Sequence, residues 1–167
     1  MSDNVTPAMP NRQVIDGRLQ AVAAGNQLIQ QAKREICFFA PSLDKHLLDN
    51  EEALTAISAF ARDSRFSKVR LLVHSSRDAV NQSHRLLPLA QRLSSHIEIH
   101  ECAREDHDQV YLCLLVDDFA TLFCSDPLRY QGYMAAADRA QNLQLRQHFE
   151  VIWARSHPDP QSRRLHI

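Results

Sequence analysis

Runs and repeats of apolar residues predict four helices and five strands along the chain. Helices are predicted over residues 14–33, 49–63, 75–93 and 141–154, where apolar positions recur at the spacing of an amphipathic helix. Strands are predicted over residues 36–40, 69–73, 97–100, 110–116 and 119–123, where apolar residues run together or alternate with polar ones. Pro88 falls inside the third helix and is expected to kink or break it. Residues 126–140, with Pro127 and Gly132, are predicted to be irregular.

The segment VYLCLLVDDFATLFCS, residues 110–125, is the most strongly patterned part of the chain. Its first run contains no Gly or Pro, which is typical of a strand that is buried on both faces. Asp117 and Asp118 then interrupt the apolar pattern, and aspartate tolerates turn geometry and hydrogen-bonds its own backbone. The pattern therefore predicts a strand, an acidic turn and a second strand near the centre of the fold.

The order of these elements predicts a layered α/β domain. Because strands and helices alternate, we expect a mixed, largely parallel sheet that is covered by helices on both faces. The length of 167 residues fits one domain. The sequence predicts a mobile N-terminal tail over residues 1–12, the α/β domain over residues 13–155 and a polar C-terminal tail over residues 156–167.

Composition excludes several classes of protein. The net charge is −1, from 19 basic and 20 acidic residues, so no global field attracts nucleic acid or an anionic membrane, although local patches leave nucleic acid open as a partner. No apolar run approaches the roughly 20 residues that span a bilayer, so no membrane partner is expected. The 4 cysteines lack the spacing of metal ligands and suggest free thiols in the cytoplasm. With only 3 glycines there is no phosphate-cradling loop, and we expect neither a metal nor a cofactor.

Two short segments outside the acidic turn carry candidate binding residues. Ser76 and Arg77 lie between a predicted strand and a helix, at a position where α/β proteins often bind anions. His84 and Arg85 place an imidazole beside a guanidinium, a combination that can bind phosphate or carboxylate. Each segment also has an ordinary interpretation, because serine is a common helix cap and a His-Arg pair is common on helix surfaces.

The strand, acidic turn and strand resemble the signature region of the phospholipase D superfamily, which reads His-x-Lys, four residues, Asp, six residues, Gly-Ser. When the signature Asp is placed on Asp117, Cys124 and Ser125 fall on the Gly-Ser. In the same register, Val110 takes the place of the nucleophilic His and Leu112 takes the place of the phosphate-binding Lys. The resemblance thus extends to the fold while the residues of the usual chemistry are absent.

A second register, with the signature Asp on Asp118, puts Tyr111 and Cys113 at the His and Lys positions and again supplies neither residue. The resemblance covers about residues 14–155. Within the superfamily, the chain is similar to an uncharacterised proteobacterial branch, whose domain sometimes accompanies an acetyltransferase domain. The resemblance implies a phospholipase D-like topology. It also implies a homodimer, because single-domain members usually build their site from two chains.

These observations predict a catalytically inactive phospholipase D-like domain that acts as a binding or interaction module at the former active-site groove. The alternative is a diverged phosphodiesterase or nuclease-like hydrolase that uses non-standard residues. Beyond a second copy of the chain, an anionic ligand or a protein partner is expected. The candidate ligand-binding residues are Ser76, Arg77, His84, Arg85, Asp117 and Ser125, of which the last two could equally be ordinary turn and loop residues.

Overall fold

The computed structural model describes residues 12–160, and within them eight strands form one sheet. The strands are β1 (Arg12–Asp16), β2 (Glu35–Ala40), β3 (Lys68–Val73), β4 (Ile97–Glu101), β5 (Leu112–Val116), β6 (Ala120–Asp126), β7 (Gln131–Ala135) and β8 (His157–Pro158). The helices are α1 (Arg18–Gln30), α2 (Lys45–Leu48), α3 (Glu51–Asp63), α4 (Arg77–Asn81), α5 (Leu86–Arg92) and α6 (Arg139–Arg155). The predicted tails at residues 1–11 and 161–167 lie outside the described residues. No helix among the described residues is long and apolar enough to cross a membrane.

The order of strands across the sheet is β1-β7-β6-β5-β2-β3-β4-β8. Only the β2–β3 and β3–β4 pairs are parallel, and the other neighbouring pairs are antiparallel. The prediction of a largely parallel sheet is therefore wrong. Helices connect β2, β3 and β4, as parallel pairing requires, but β5, β6 and β7 follow one another through short turns that only antiparallel strands can use.

Several predicted elements differ from the observed ones. The N-terminal helix begins at Arg18 rather than near residue 14, because Gly17, with φ 107°, separates it from β1. Strand β7 occupies part of the segment that was predicted to be irregular. The third predicted helix is two short helices, and Pro88 lies in the first turn of the second, where its missing N–H is tolerated. Strand β8, within the predicted C-terminal tail, pairs with β4.

Apolar side chains of the central strand β2 alternate between two hydrophobic clusters. Ile36 and Phe38 belong to the larger cluster, which includes side chains of α1, α3 and α5. Cys37 and Phe39 point to the opposite face and belong to a smaller cluster that includes Phe149 of α6. Because successive strand residues point to opposite faces, both faces of the central strands are buried.

The candidate residues lie at the two opposite ends of the strands. At the end called the upper end here, β2, β3 and β4 finish at Ala40, Val73 and Glu101, and β5 begins at Leu112. The lower end is the one where β2 begins and where residues 117–119 turn from β5 into β6. The predicted hairpin with an acidic turn is confirmed.

Candidate functional site

Asp117 lies at the lower end of the sheet, where backbone N–H groups donate hydrogen bonds to its carboxylate. Its Oδ1 accepts hydrogen bonds from the backbone N–H groups of Arg34 (2.7 Å) and Glu35 (3.0 Å), and its Oδ2 accepts one from Lys33 (3.1 Å). The residue is 6% exposed and has φ 52°, a left-handed conformation that aspartate adopts more readily than most residues. These contacts tie the hairpin turn to the segment that precedes β2.

A group of charged side chains lies near Asp117, on the face of the sheet that α6 covers. Arg70 donates from Nε to Glu35 Oε1 (2.9 Å) and from Nη1 to Glu150 Oε2 (2.9 Å), and Arg146 Nη1 lies 3.4 Å from Glu35 Oε2. Burial acts to raise the pKa of Glu35, but the hydrogen bonds from Cys37 and Arg70 and the nearby cations outweigh it and hold the pKa below its ordinary value. Burial strongly raises the pKa of the Cys37 thiol, so this cysteine is a poor nucleophile.

Ser76 and Arg77 lie just beyond the upper end of β3, at the start of α4. Ser76 Oγ is buried and donates to Asp159 Oδ1 (2.6 Å), while the Ser76 N–H donates to Glu101 Oε2 (3.2 Å). Arg77 is exposed, and its backbone N–H donates to Ser75 Oγ (3.2 Å). In the structure, Ser76 thus joins the start of α4 to the segment that follows α6.

His84 and Arg85 lie between α4 and α5 and contact the segment between α2 and α3. His84 is buried, and its Nδ1 accepts a hydrogen bond from the Leu86 N–H (3.2 Å). Burial lowers the pKa of His84 in spite of the opposing charge of Asp49. Arg85 Nε donates to Asp49 Oδ1 (2.6 Å), and Arg85 also pairs with Glu51, so acidic neighbours compensate the charge of its guanidinium.

Ser125, the last predicted residue, is exposed on β6 near the upper end. The structure therefore places Asp117 at the lower end and Ser76, Arg77 and Ser125 at the upper end, so the predicted residues do not converge on Asp117. The role of the six residues in ligand binding stays a prediction.

A pocket of about 430 Å³ opens at the upper end of the sheet, where Val110 and Leu112 stand. Val110 is 54% exposed, whereas Leu112 is fully buried. Tyr111 and Cys113 pack in the cluster on the opposite face of the sheet. The pocket is therefore lined by Val110 and Leu112, which take the His and Lys positions when the signature Asp is placed on Asp117. Most of the pocket surface is apolar, and its apolar side chains include Pro41, Leu43, Val110, Leu112 and Leu128. Its polar side chains include Asp44, Lys45, His46, Asp78, Gln82 and Tyr130. None of the six predicted residues lines it.

Asp44 and Tyr130 are bonded to each other at the pocket wall. The Tyr130 hydroxyl donates to Asp44 Oδ2 (2.8 Å), and Asp44 Oδ1 accepts from the Leu47 N–H (3.0 Å), which caps the start of α2. Tyr130 has φ 54°, and its carbonyl accepts from the Gly17 N–H (3.1 Å). Burial, reinforced by Asp44, strongly raises the pKa of Tyr130, so its hydroxyl is not an accessible base at neutral pH.

Sequence reasoning missed these pocket residues. Asp44 and Tyr130 are 86 positions apart, and they meet only because β7 and β6 bring residue 130 to the upper end of the central strands. One signal was present, because Asp44 follows the end of a buried strand and precedes a short helix, which is the pattern of a helix cap. Nothing in the sequence marks Tyr130 in this way.

Three charged side chains that line the pocket have no ionic partner among residues 12–160. These are Asp44, the N-cap of α2, Lys45 at the start of α2 and Asp78 in the first turn of α4. Next to Lys45, Arg18 Nη1 lies 3.5 Å from His46 Nε2. The described residues contain no group of three or more His, Cys, Asp or Glu side chains that is arranged to hold a metal ion.

Solved structures that are similar to this chain share its fold at low sequence identity. TrmBL2, an archaeal chromatin protein that shows a novel mode of DNA binding, has a TM-score of 0.64 at 12% identity over 93% of this chain. The match covers 57% of TrmBL2, so this chain corresponds to little more than half of that protein. Nuc from Salmonella typhimurium, a phospholipase D family member, has a TM-score of 0.54 at 13% identity, over 89% of this chain and 99% of Nuc. NucT from Helicobacter pylori has a TM-score of 0.59 at 10% identity, over 89% of this chain and 99% of NucT.

These similarities establish a phospholipase D-like fold. No match was found among curated proteins. A family model matches residues 17–165, which is most of the chain. The chain therefore belongs to the family described as Domain of unknown function (DUF7931).

Proposed function

We propose that this protein is a catalytically inactive phospholipase D-like domain that binds a small ligand in the pocket at the upper end of its sheet. The observation that carries the proposal is the pair Val110 and Leu112 in that pocket. The predicted strand over residues 110–116 begins only at Leu112 in the structure, and Val110 lies just before it, but both residues line the same pocket, so a His-x-Lys sequence at these positions would present both groups to one phosphate. Valine and leucine supply neither a nucleophile nor a charge for phosphate oxygens.

The other properties of the pocket also favour binding. Its volume of about 430 Å³ and its mostly apolar lining with a few polar groups are typical of small-molecule sites. Its tyrosine is held by Asp44, which in turn caps α2, so these two polar groups already form part of the scaffold. A preorganised wall of this kind lowers the cost of ordering a site around a ligand.

A neutral fluorescent probe tests this proposal without prejudging the charge of the ligand. Titration with N-phenylnaphthylamine is expected to show saturable binding that Val110→Trp weakens at least about tenfold, because indole fills the pocket mouth. Val14→Trp is the matched control, since Val14 is 76% exposed on β1 and does not line the pocket. Equal binding by both variants would show that the probe binds elsewhere and would contradict the proposal.

Catalysis is tested separately with bis(p-nitrophenyl) phosphate. We expect no hydrolysis above the level of a heat-inactivated sample, because loss of a nucleophile or its partner typically removes about 10⁴-fold or more of rate. Hydrolysis that disappears in His46→Ala, a change to the pocket lining, would favour the alternative of a diverged phosphodiesterase or nuclease-like hydrolase.

Nucleic acid is a second candidate partner, and the likeness to the DNA-binding protein TrmBL2 is the observation that favours it. The net charge of −1 argues against it, and some of the described arginines, among them Arg70, Arg85 and Arg155, are paired with acidic side chains. Phosphate contacts from uncompensated cations supply most of the affinity for nucleic acid. We expect no change in the fluorescence anisotropy of a labelled duplex at low salt, and binding that weakens steeply with salt would establish this second function.

A further inference from the structure

The charged groups that line the pocket at the upper end of the sheet indicate one class of ligand, an inference that rests on the proposed function. We propose that the pocket binds a small amphipathic amine in its protonated, singly charged form. The apolar body of the amine would lie against Val110 and Leu112, and its ammonium group would lie with the carboxylates of Asp44 and Asp78.

The topology of the sheet brings these two carboxylates to one pocket. Asp44 follows the upper end of β2, which finishes at Ala40, and Asp78 follows the upper end of β3, which finishes at Val73. Strands β2 and β3 are parallel neighbours, and ligands of α/β sheets commonly bind just beyond the carboxyl ends of such strands. The two acidic side chains therefore reach the pocket from adjacent connections of the chain.

The lining of the pocket carries an excess of negative charge. Its charged side chains are Asp44, Asp78 and Lys45, which is two carboxylates against one ammonium when His46 is counted as neutral. None of the three has an ionic partner among residues 12–160. Arg18, whose Nη1 lies 3.5 Å from His46 Nε2, does not line the pocket. Lys45 can balance only one of the two carboxylates, so the lining leaves one negative charge for a cationic ligand.

The hydrogen bonds of Asp44 do not remove its charge. Its two donors, the Tyr130 hydroxyl and the Leu47 N–H, are neutral groups. Burial raises the pKa values of Tyr130 and Cys124, and the negative charge of Asp44 raises both of them further. The field of this carboxylate therefore reaches its surroundings, where it attracts a cation and repels an anion.

The apolar part of the lining explains the amphipathic character of the ligand. Val110 and Leu128 are 54% and 91% exposed at the pocket, and the apolar body of an amine would remove part of this surface from water. Apolar surroundings also lower the effective dielectric constant, so a carboxylate attracts an ammonium group more strongly there than in open solvent. Tyr130 adds an aromatic ring to the lining, and the faces of aromatic rings attract cations as well.

Four ligands test the inference by displacement of N-phenylnaphthylamine at neutral pH. Octylammonium, octanol and octanoate differ only in their head group, and we expect octylammonium to bind most tightly and octanoate least tightly. Ethylammonium carries the same charge without the long chain. It should bind at least about a hundredfold more weakly than octylammonium, because most of the apolar surface that drives binding is missing.

Substitutions of the two aspartates identify the groups that attract the amine. Asp78→Asn and Asp44→Asn should each weaken octylammonium about threefold relative to octanol, as single charges near the surface contribute. Asparagine at position 44 can still cap α2. Lys45→Gln should tighten octylammonium by up to about threefold relative to octanol. Asp63→Asn is the matched control and should change none of the affinities, since Asp63 is an exposed aspartate at the end of α3 that does not line the pocket.

The outcomes separate this inference from the proposed function. If Val110→Trp blocks octanol and octylammonium, but octanoate binds as tightly as octylammonium, the pocket is a binding site and the amine class is wrong. If ethylammonium binds as tightly as octylammonium, or if the preference for octylammonium survives both aspartate substitutions, the inference is overturned as well. If no ligand or probe responds to Val110→Trp, the proposed function itself fails.

Discussion

At the scale of single residues, Asp117 is the side chain whose replacement should cost the most stability at the lower end of the sheet. Asp117→Ala removes the acceptor of the Lys33, Arg34 and Glu35 backbone N–H groups. We expect a loss of about 3 kcal/mol in the free energy of unfolding, because three backbone donors in a partly buried segment would lose their common acceptor. Urea denaturation followed by circular dichroism measures this loss.

The adjacent aspartate provides the control for that experiment. Asp118 is exposed and pairs with Arg139 at the surface (2.6 Å), so Asp118→Ala should change the free energy of unfolding by no more than about 0.5 kcal/mol. Asp117→Asn keeps one acceptor oxygen, so its free energy of unfolding should lie between those of Asp117→Ala and Asp118→Ala. Equal losses for Asp117→Ala and Asp118→Ala would refute the structural role of the Asp117 carboxylate.

His84 should make the stability of the fold depend on pH. Burial lowers its pKa below the ordinary value of 6.5, so the unfolded chain binds the proton more tightly than the folded protein does. The free energy of unfolding should therefore fall as the pH drops below about 6.5, until it passes the lowered pKa of the folded state. Burial lowers the pKa of His74 as well, which adds to the same trend.

Denaturation at pH 8 and at pH 5.5 measures how far the free energy of unfolding falls with pH. In His84→Asn the amide oxygen can still accept from the Leu86 N–H, but the residue no longer titrates, so the difference in stability between the two pH values should shrink. His148→Asn, on the exposed side of α6, controls for the substitution itself. If the difference in unfolding free energy between the two pH values is unchanged in His84→Asn, His84 is not the cause of the pH dependence.

At the scale of elements, the β6–β7 hairpin depends on Gly132. A Cβ atom at this position would overlap the Phe123 carbonyl oxygen and lie 2.7 Å from Cys124 Cα, so the two strands could not keep their register. Gly132→Ala should therefore lower the free energy of unfolding by about 3 kcal/mol or more. Thermal unfolding of the variant would show a correspondingly lower midpoint.

Gly25, in the middle of α1, is the matched comparison for Gly132. Its added Cβ would lie 3.2 Å from the end of the Leu47 side chain and 3.8 Å from the end of the Leu122 side chain, and alanine is favoured over glycine in helices by about 1 kcal/mol. Gly25→Ala should therefore leave stability within about 1 kcal/mol of the original protein. If both alanine variants behave alike, the close approach at Gly132 does not control the hairpin.

The elements that the sequence predicted correctly are those whose signal is local. The β5–β6 hairpin needs only apolar runs and an acidic turn, and Asp117 marks it plainly. Strand β7 was not predicted, because it is short and follows Pro127, which is typical of a loop. Strand β1 was not predicted either, because Ile15 also fits the apolar stripe of the following helix. The pocket could not be predicted at all, because contact between Asp44 and Tyr130 depends on the order of strands in the sheet.

At the scale of the whole molecule, we expect a homodimer, as the resemblance to single-domain phospholipase D-like proteins implies. Leu128, at the edge of the pocket end, is 91% exposed and offers apolar surface for such pairing. Light scattering at tens of micromolar protein should give twice the mass of one chain. Leu128→Glu should shift the mass toward the monomer, whereas Leu143→Glu, on α6, should not. A monomer mass for the unaltered protein would contradict the prediction.

The bond between Ser76 and Asp159 couples two regions that are far apart along the chain. Strand β8 lies against β4, and Ser76 links Asp159 to the start of α4, the helix that contributes Asp78 to the pocket. Residues 157–159 and α4 should therefore open to solvent together, as one unit of local unfolding, and their amide hydrogens should exchange at similar rates. A ligand that orders α4 would slow exchange at Asp159 as well.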